Sequence, residues 1–185
     1  MRKILCLDID GVLWNTAWSH YLHSTETGRE QFKNLTEKKN LITPLSPENV
    51  SALNILCESV PELEIAIVSS WIKLDSNDEK SKFYKFIERH LKLAGFKYFD
   101  RVQTEWDSEK DKQQKLENIL KDSNMSLTKD SVIVVIDDHH VRIPSEYYCT
   151  VHVHQINNLT GFTINDAEHL CRYFGNDLIL PAVLF

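Results

Sequence analysis

The sequence predicts an α/β fold of three layers, a parallel sheet with helices on both faces. Three observations predict it. Short apolar runs alternate along the chain with longer segments of helical period. Two of the runs, at 4–7 and 132–136, are apolar at every position, as strands buried on both faces must be. Three runs also end in polar residues: Asp8 and Asp10, Ser69 and Ser70, Asp137 and Asp138. A Rossmann-like parallel sheet gathers all three sets at one edge, where such folds bind ligands.

Each element has its own warrant. The first strand ends at Asp8, and residues 14–45 then form a polar, aromatic-dotted surface insertion with one or two short helices. Ser46 and Pro47 mark a helix start, as N-cap and first helical residue. The stripe Val50, Leu53, Leu56, Cys57 and Val60 continues that helix to Pro61. A second strand over 63–68 leads into Ser69. A helix over 79–94 turns Phe83, Phe86, Ile87, Leu91 and Ala94 inward and Lys82, Lys85, Arg89 and Lys92 to solvent, and Gly95 closes it. A short strand is expected over 98–103, and a helix over 110–121 with Leu116, Ile119 and Leu120 on its inner side. The strand at 132–136, a strand over 149–153 and a helix over 166–174 complete the order. An apolar tail at 175–185 is far shorter than the roughly 20 residues of a membrane span and is expected to pack on protein.

Composition narrows the function. The 185 residues, 42% hydrophobic and 26% charged, suit a single domain over 1–185 with an ordinary core and no membrane partner. A formal net charge of -6 argues against general coating of nucleic acid but leaves room for a local basic patch at one phosphate end. The four cysteines (Cys6, Cys57, Cys149, Cys171) are far apart and lack paired metal spacing. They read as reduced thiols of a cytoplasmic protein.

Carboxylates at the end of a buried strand are costly to desolvate unless an open edge or a cation compensates them. Two or three carboxylates with a phosphate oxygen form the hard, oxygen-only ligand set that magnesium prefers. The candidate metal ligands are therefore Asp8, Asp10, Asp137 and Asp138, in a magnesium-dependent phosphoryl-transfer site. His152 and His154 alternate on the last strand, but two histidines make an incomplete metal site. Trp14, Trp18 and Trp71 follow the polar strand ends and are candidates to stack on a base, with core packing as the ordinary role of tryptophan.

In sequence order, Asp8-Ile-Asp10-Gly11-Val12, Ile-Val-Ser69, a lysine ahead of a helix and Ile136-Asp137-Asp138 resemble the four motifs of the haloacid dehalogenase (HAD) superfamily of phosphatases. Ser-Ser-Trp71 and Leu159-Thr-Gly161-Phe-Thr163 resemble most its cap-less domains associated with RNA repair. The resemblance implies that Asp8 attacks phosphorus and carries an aspartyl-phosphate. Asp10 would protonate the leaving oxygen and then activate water. Ser69 and a lysine would hold phosphate oxygens. Lys112 is favoured over Lys110 and Lys115 because the apolar positions of its helix follow it at plus four, seven and eight. Gly11, Ser70 and Trp71 are the expected substrate contacts. Magnesium would sit on Asp8, the Asp10 carbonyl and one of Asp137 and Asp138, Asp138 being favoured. Arg142 stands where one common family pattern has an acid.

Because the insertions after the first two strands are small, no substantial cap domain is expected. An open site suits a phosphorylated substrate that covers it, such as a polynucleotide 3' or 5' end. A small-molecule nucleotidase and a non-catalytic binding domain are the alternatives.

Overall fold

All five expected strands form in a computed structural model, which describes residues 2–38, 44–69, 77–103, 112–121, 131–143 and 151–179. They are β1 (Lys3–Leu7), β2 (Leu63–Ile67), β3 (Val102–Gln103), β4 (Val132–Asp137) and β5 (Val151–Gln155). Every pairing is parallel and the order is β3-β2-β1-β4-β5. The chain therefore builds outward from β1 to one side, then returns to lay β4 on the other. The switch point between β1 and β4 is where a doubly wound sheet opens its ligand crevice.

The helices are α1 (Thr16–Ser24), α2 (Glu26–Lys33), α3 (Pro47–Ser59), α4 (Asn77–Leu93), α5 (Lys112–Lys121) and α6 (Ile164–Tyr173). Because side chains alternate along a strand, β1 feeds two cores. Leu5 and Leu7 join Leu53, Leu56, Ile87, Leu91, Leu170 and Phe174, so α3, α4 and α6 cover one face. Ile4 and Cys6 join Leu116, Ile119 and Leu120, so α5 covers the other. The expected layers are present, and no large cap stands among the described residues. The insertion after β1 consists of α1, α2 and a single π-helical turn at Asn34–Lys38.

The expected strand over 98–103 shortens to two residues, preceded by a 3-10 turn at Phe99–Arg101. Phe96 and Phe99 pack edge to face at 5.1 Å, and the Arg101 guanidinium donates to the Cys57 and Val60 carbonyls. These contacts turn the chain off the sheet edge. The exposed Lys85, Arg89 and Lys92 line the solvent side of α4 as expected. Cys6, Cys57 and Cys171 are free thiols, and Leu178 packs against the core. Cys149, the Lys82 side chain and the end of the tail lie outside the described residues. No described helix is long and apolar enough to cross a membrane.

The loop that follows β1 is anchored from a distance. The Val12, Leu13 and Trp14 N–H groups all donate to the Ile9 carbonyl, which closes a tight turn. The turn at 157–162 supports it, with Phe162 N–H on the Val12 carbonyl at 2.8 Å. The Asn49 amide donates to the Thr160 and Phe162 carbonyls at 2.9 and 2.8 Å and accepts from Asn15. Gly161 (φ 69°) is needed there, since a Cβ would overlap the Val12 carbonyl and the Asn49 side chain. Asn49→Ala strands two carbonyls and one amide, so urea unfolding is expected to show a loss of roughly 2 kcal/mol. An unchanged midpoint would mean that water replaces the amide without cost.

Candidate active site

Parallel register sets the geometry at the end of the sheet. Leu7 pairs with Ile67 on one side and with Ile136 on the other, so Asp8 and Asp137 follow at the same level on neighbouring strands. The Asp8 N–H donates to the Ile136 carbonyl at 3.1 Å and holds them side by side. Both are nearly sealed from water, with 4% and 1% of their surface exposed. Two buried carboxylates in contact with one cation are tolerable where two alone are not.

Lys112 is that cation. It begins α5, whose Leu116, Ile119 and Leu120 pack on the β1–β4 face, and its Nζ bridges Asp8 Oδ2 and Asp137 Oδ2, the latter at 2.6 Å. Burial pushes the Asp8 carboxyl above its ordinary value of 3.8; the Lys112 ammonium pulls it back and Asp137 pushes it up again. Burial also opposes the Lys112 charge, but the two carboxylates outweigh it and hold the ammonium above its ordinary 10.5.

Backbone donors complete the shell. Ile9 N–H reaches Asp8 Oδ1 at 2.7 Å and His139 N–H reaches Asp137 Oδ1 at 2.9 Å. Asp138 lies one residue further on, its side chain largely buried against Gly11, and its Oδ1 pairs with His139 Nδ1 at 2.7 Å. The His139 ring is 79% exposed, and this hydrogen bond with the Asp138 charge raises its pKa. Gly11 (φ 68°) has no room for a Cβ, which would overlap the Asp138 carboxylate. Its place is therefore to let β4 approach the turn after β1, in addition to any contact with substrate.

The other sequence candidates fall as follows. Ser69 lies two residues past the end of β2, fully buried, and its carbonyl accepts from the buried Lys115 Nζ at 3.3 Å. Lys115 thus serves the backbone of the second strand end while Lys112 meets the acids. Asp10 is half-exposed and its backbone bridges to Trp14. Ser70, Trp71 and Lys110 lie outside the described residues. Trp14 packs on the core, and Trp18 stacks on Tyr21 at 5.4 Å while its indole N–H donates to the Pro44 carbonyl. Trp18 and Tyr21 line a groove of about 1050 Å³ beside α3, and Glu48 is the one charged group among its described lining residues. That groove has no electrostatic attraction for a phosphate chain. His140 is exposed.

The donor set is compatible with the magnesium expected from the sequence. Ligand atoms of Asp137, Asp138 and His139 lie within 4.8 Å of one another, and Asp8 shares Lys112 with Asp137. Three carboxylates against one ammonium leave a buried excess of negative charge, and the oxygens suit a hard divalent cation.

A family model described as the HAD domain in Swiss Army Knife RNA repair proteins matches residues 4–167. Among solved structures, the HAD domain of effector protein Lem4 from Legionella pneumophila is similar at 13% identity. The match covers 85% of this chain and 87% of that one, with a TM-score of 0.44. An inactive mutant of the same domain matches over the same shares at a TM-score of 0.42. None of the curated proteins compared matches the chain.

Lys112→Met leaves two buried carboxylates without their shared cation. Near pH 7 in metal-free buffer it is expected to lose roughly 3 kcal/mol, the low end for a buried pair, because the lysine keeps 25% exposure. The Lys112 contribution is present below 10.5 and is lost as pH rises through its raised folded value. On the acid side it fades once Asp8 protonates, above 3.8. Urea unfolding of both proteins should give a stability gap that closes at both ends of the pH range. A gap independent of pH would contradict the bridge.

Proposed function

This chain belongs to the family of HAD domains in Swiss Army Knife RNA repair proteins, and from that premise we propose that it is a magnesium-dependent phosphomonoesterase working through an aspartyl-phosphate. The single observation that best supports the reading is the bridge of Lys112 across Asp8 and Asp137 at the switch point of the sheet. An anionic nucleophile must approach an anionic phosphate; the Lys112 ammonium at the start of α5 supplies part of the positive charge that approach needs, and a divalent cation would supply the rest.

In this reading an Asp8 oxygen attacks phosphorus and the bond to the leaving oxygen breaks. Asp10 gives that oxygen its proton. Water then attacks the phosphorus of the acyl phosphate, Asp10 takes up its proton, and phosphate leaves with Asp8 restored. Ser69 and Lys112 hold the phosphate oxygens. Asp8, the Asp10 carbonyl and Asp138 would hold the magnesium. Asp138 suits it better than Asp137, because Asp137 is already committed to Lys112 and the His139 N–H, whereas the partner of Asp138 is an exposed ring. When bound, the metal supplies Lewis-acid stabilisation of charge on the transferring phosphoryl group.

The substrate class we propose is a phosphorylated polynucleotide end. Two things support it: the family is named for RNA repair, and no large cap stands over the site among the described residues. A net charge of -6 restricts contact to the terminal phosphate and its nearest neighbours.

Hydrolysis of a generic aryl phosphate should require magnesium, stop on chelation, and be abolished in Asp8→Asn. Equal rates in that variant, or no turnover of any phosphate ester by the wild type, would leave a binding domain as the reading. Asp10→Asn should keep magnesium binding while kcat falls by about 100-fold or more. Loss of the metal in that variant would mean that Asp10 is misassigned. Phosphate release from 3'- and 5'-phosphorylated oligonucleotides should exceed release from mononucleotides in kcat/KM; the reverse order would make the protein a nucleotidase.

A further inference from the structure

The far edge of the sheet carries a second cluster of titratable groups that the phosphatase reading does not use. β5 is the last strand of the sheet among the described residues, and its alternation gives its two faces opposite chemistry. Val151 and Val153 join the core under α5, while His152 and His154 point to the other face. There α6 meets them. Its apolar side, Ala167, Leu170 and Cys171, goes to the core. Positions 166, 169 and 173 fall on one neighbouring stripe, so Asp166, His169 and Tyr173 face β5.

The contacts bear this out. His152 stacks on Tyr173 with ring centres 4.2 Å apart, and His154 stacks on His169 at 5.1 Å. One nitrogen from each of His152, His154 and His169 lies within 4.8 Å of the other two. His152 Nε2 is buried and has no hydrogen-bond partner among the described residues. A sealed imidazole nitrogen without a partner is a cost that simple packing does not explain. His154 Nε2 pairs with Asp166 Oδ1 at 2.8 Å, so Nδ1 is the nitrogen this histidine would offer to a metal. The second Asp166 oxygen is fixed by Thr163 N–H at 2.8 Å and Thr163 Oγ at 2.6 Å, so the carboxylate that orients His154 is itself immobile.

We propose that His152, His154 and His169 form a zinc site that ties β5 to α6. Imidazole nitrogens select zinc over magnesium, and three of them with a fourth position open to water make a complete tetrahedral set. The Asp166–His154 pair is the carboxylate that commonly stands behind a zinc-bound histidine, fixing tautomer and ring orientation. His169 is exposed, so the cluster is open to solvent on the α6 side. A zinc ion here would close the face of a strand whose other partners are aromatic rings.

The test uses the untagged full chain, freed of metal by a chelator, and reads metal directly. One equivalent of zinc should be taken up in competition with a dye of micromolar affinity. Cobalt in its place should give the intense visible bands of a tetrahedral nitrogen site. The His169→Ala variant removes an exposed ligand without touching the core. It should weaken zinc by more than the roughly 10–100-fold that loss of an outer partner typically costs. Asp138→Asn should leave this zinc equivalent unchanged, because the acidic cluster is a separate site. No uptake by the wild type, uptake unaffected by His169→Ala, or uptake lost in Asp138→Asn would each overturn the proposal.

Discussion

The candidate site depends on one electrostatic constraint: two carboxylates, Asp8 and Asp137, are buried side by side at the ends of neighbouring parallel strands. Their adjacency is not a local choice. It follows from the register that pairs Leu7 with Ile136, and the register is fixed by apolar residues that must face two separate cores. Like charges at that distance need a cation between them. Lys112 is delivered there by the packing of Leu116, Ile119 and Leu120 on the far face of the same strands. Core packing thus sets the position of the ammonium, and the ammonium makes the burial of the acids tolerable.

The same constraint explains the glycine and the distant clamp. Asp138 can stand beside the pair only because Gly11 has no side chain, and Gly11 sits in a turn closed by three N–H groups on the Ile9 carbonyl. That turn is held from below by Asn49 and the segment at 157–162. The acids are therefore mounted on a rigid base rather than on a free loop. This is what pre-organised electrostatic stabilisation of a phosphoryl group requires.

Residues with a local signal were legible in the sequence. The uniformly apolar runs marked β1 and β4, the Ser46–Pro47 pair marked the start of α3, and the positions after Lys112 placed it in the first turn of α5. Even there, α6 begins two residues before the expected start. Thr163 and Asp166 form a capping box, and it sets the earlier start. What the sequence could not disclose lay in partners far apart along the chain. Asn49 reads as an ordinary helix residue until its partners, 111 and 113 residues away, are seen. Lys115 is on the inner side of α5 and reaches the Ser69 carbonyl. His152 and His154 were visible as a pair on one strand, but the third histidine comes from another element, and only the docking of α6 brings it within reach.

The account turns on Asp8 being the residue that becomes phosphorylated. The direct measurement is to quench the protein with acid during turnover of a phosphorylated oligonucleotide and map the modification by peptide mass spectrometry. The account predicts one phosphoryl group on Asp8 in the wild type and none at that position in Asp8→Asn. Steady turnover with no adduct on Asp8, or with the adduct on another residue, would contradict it.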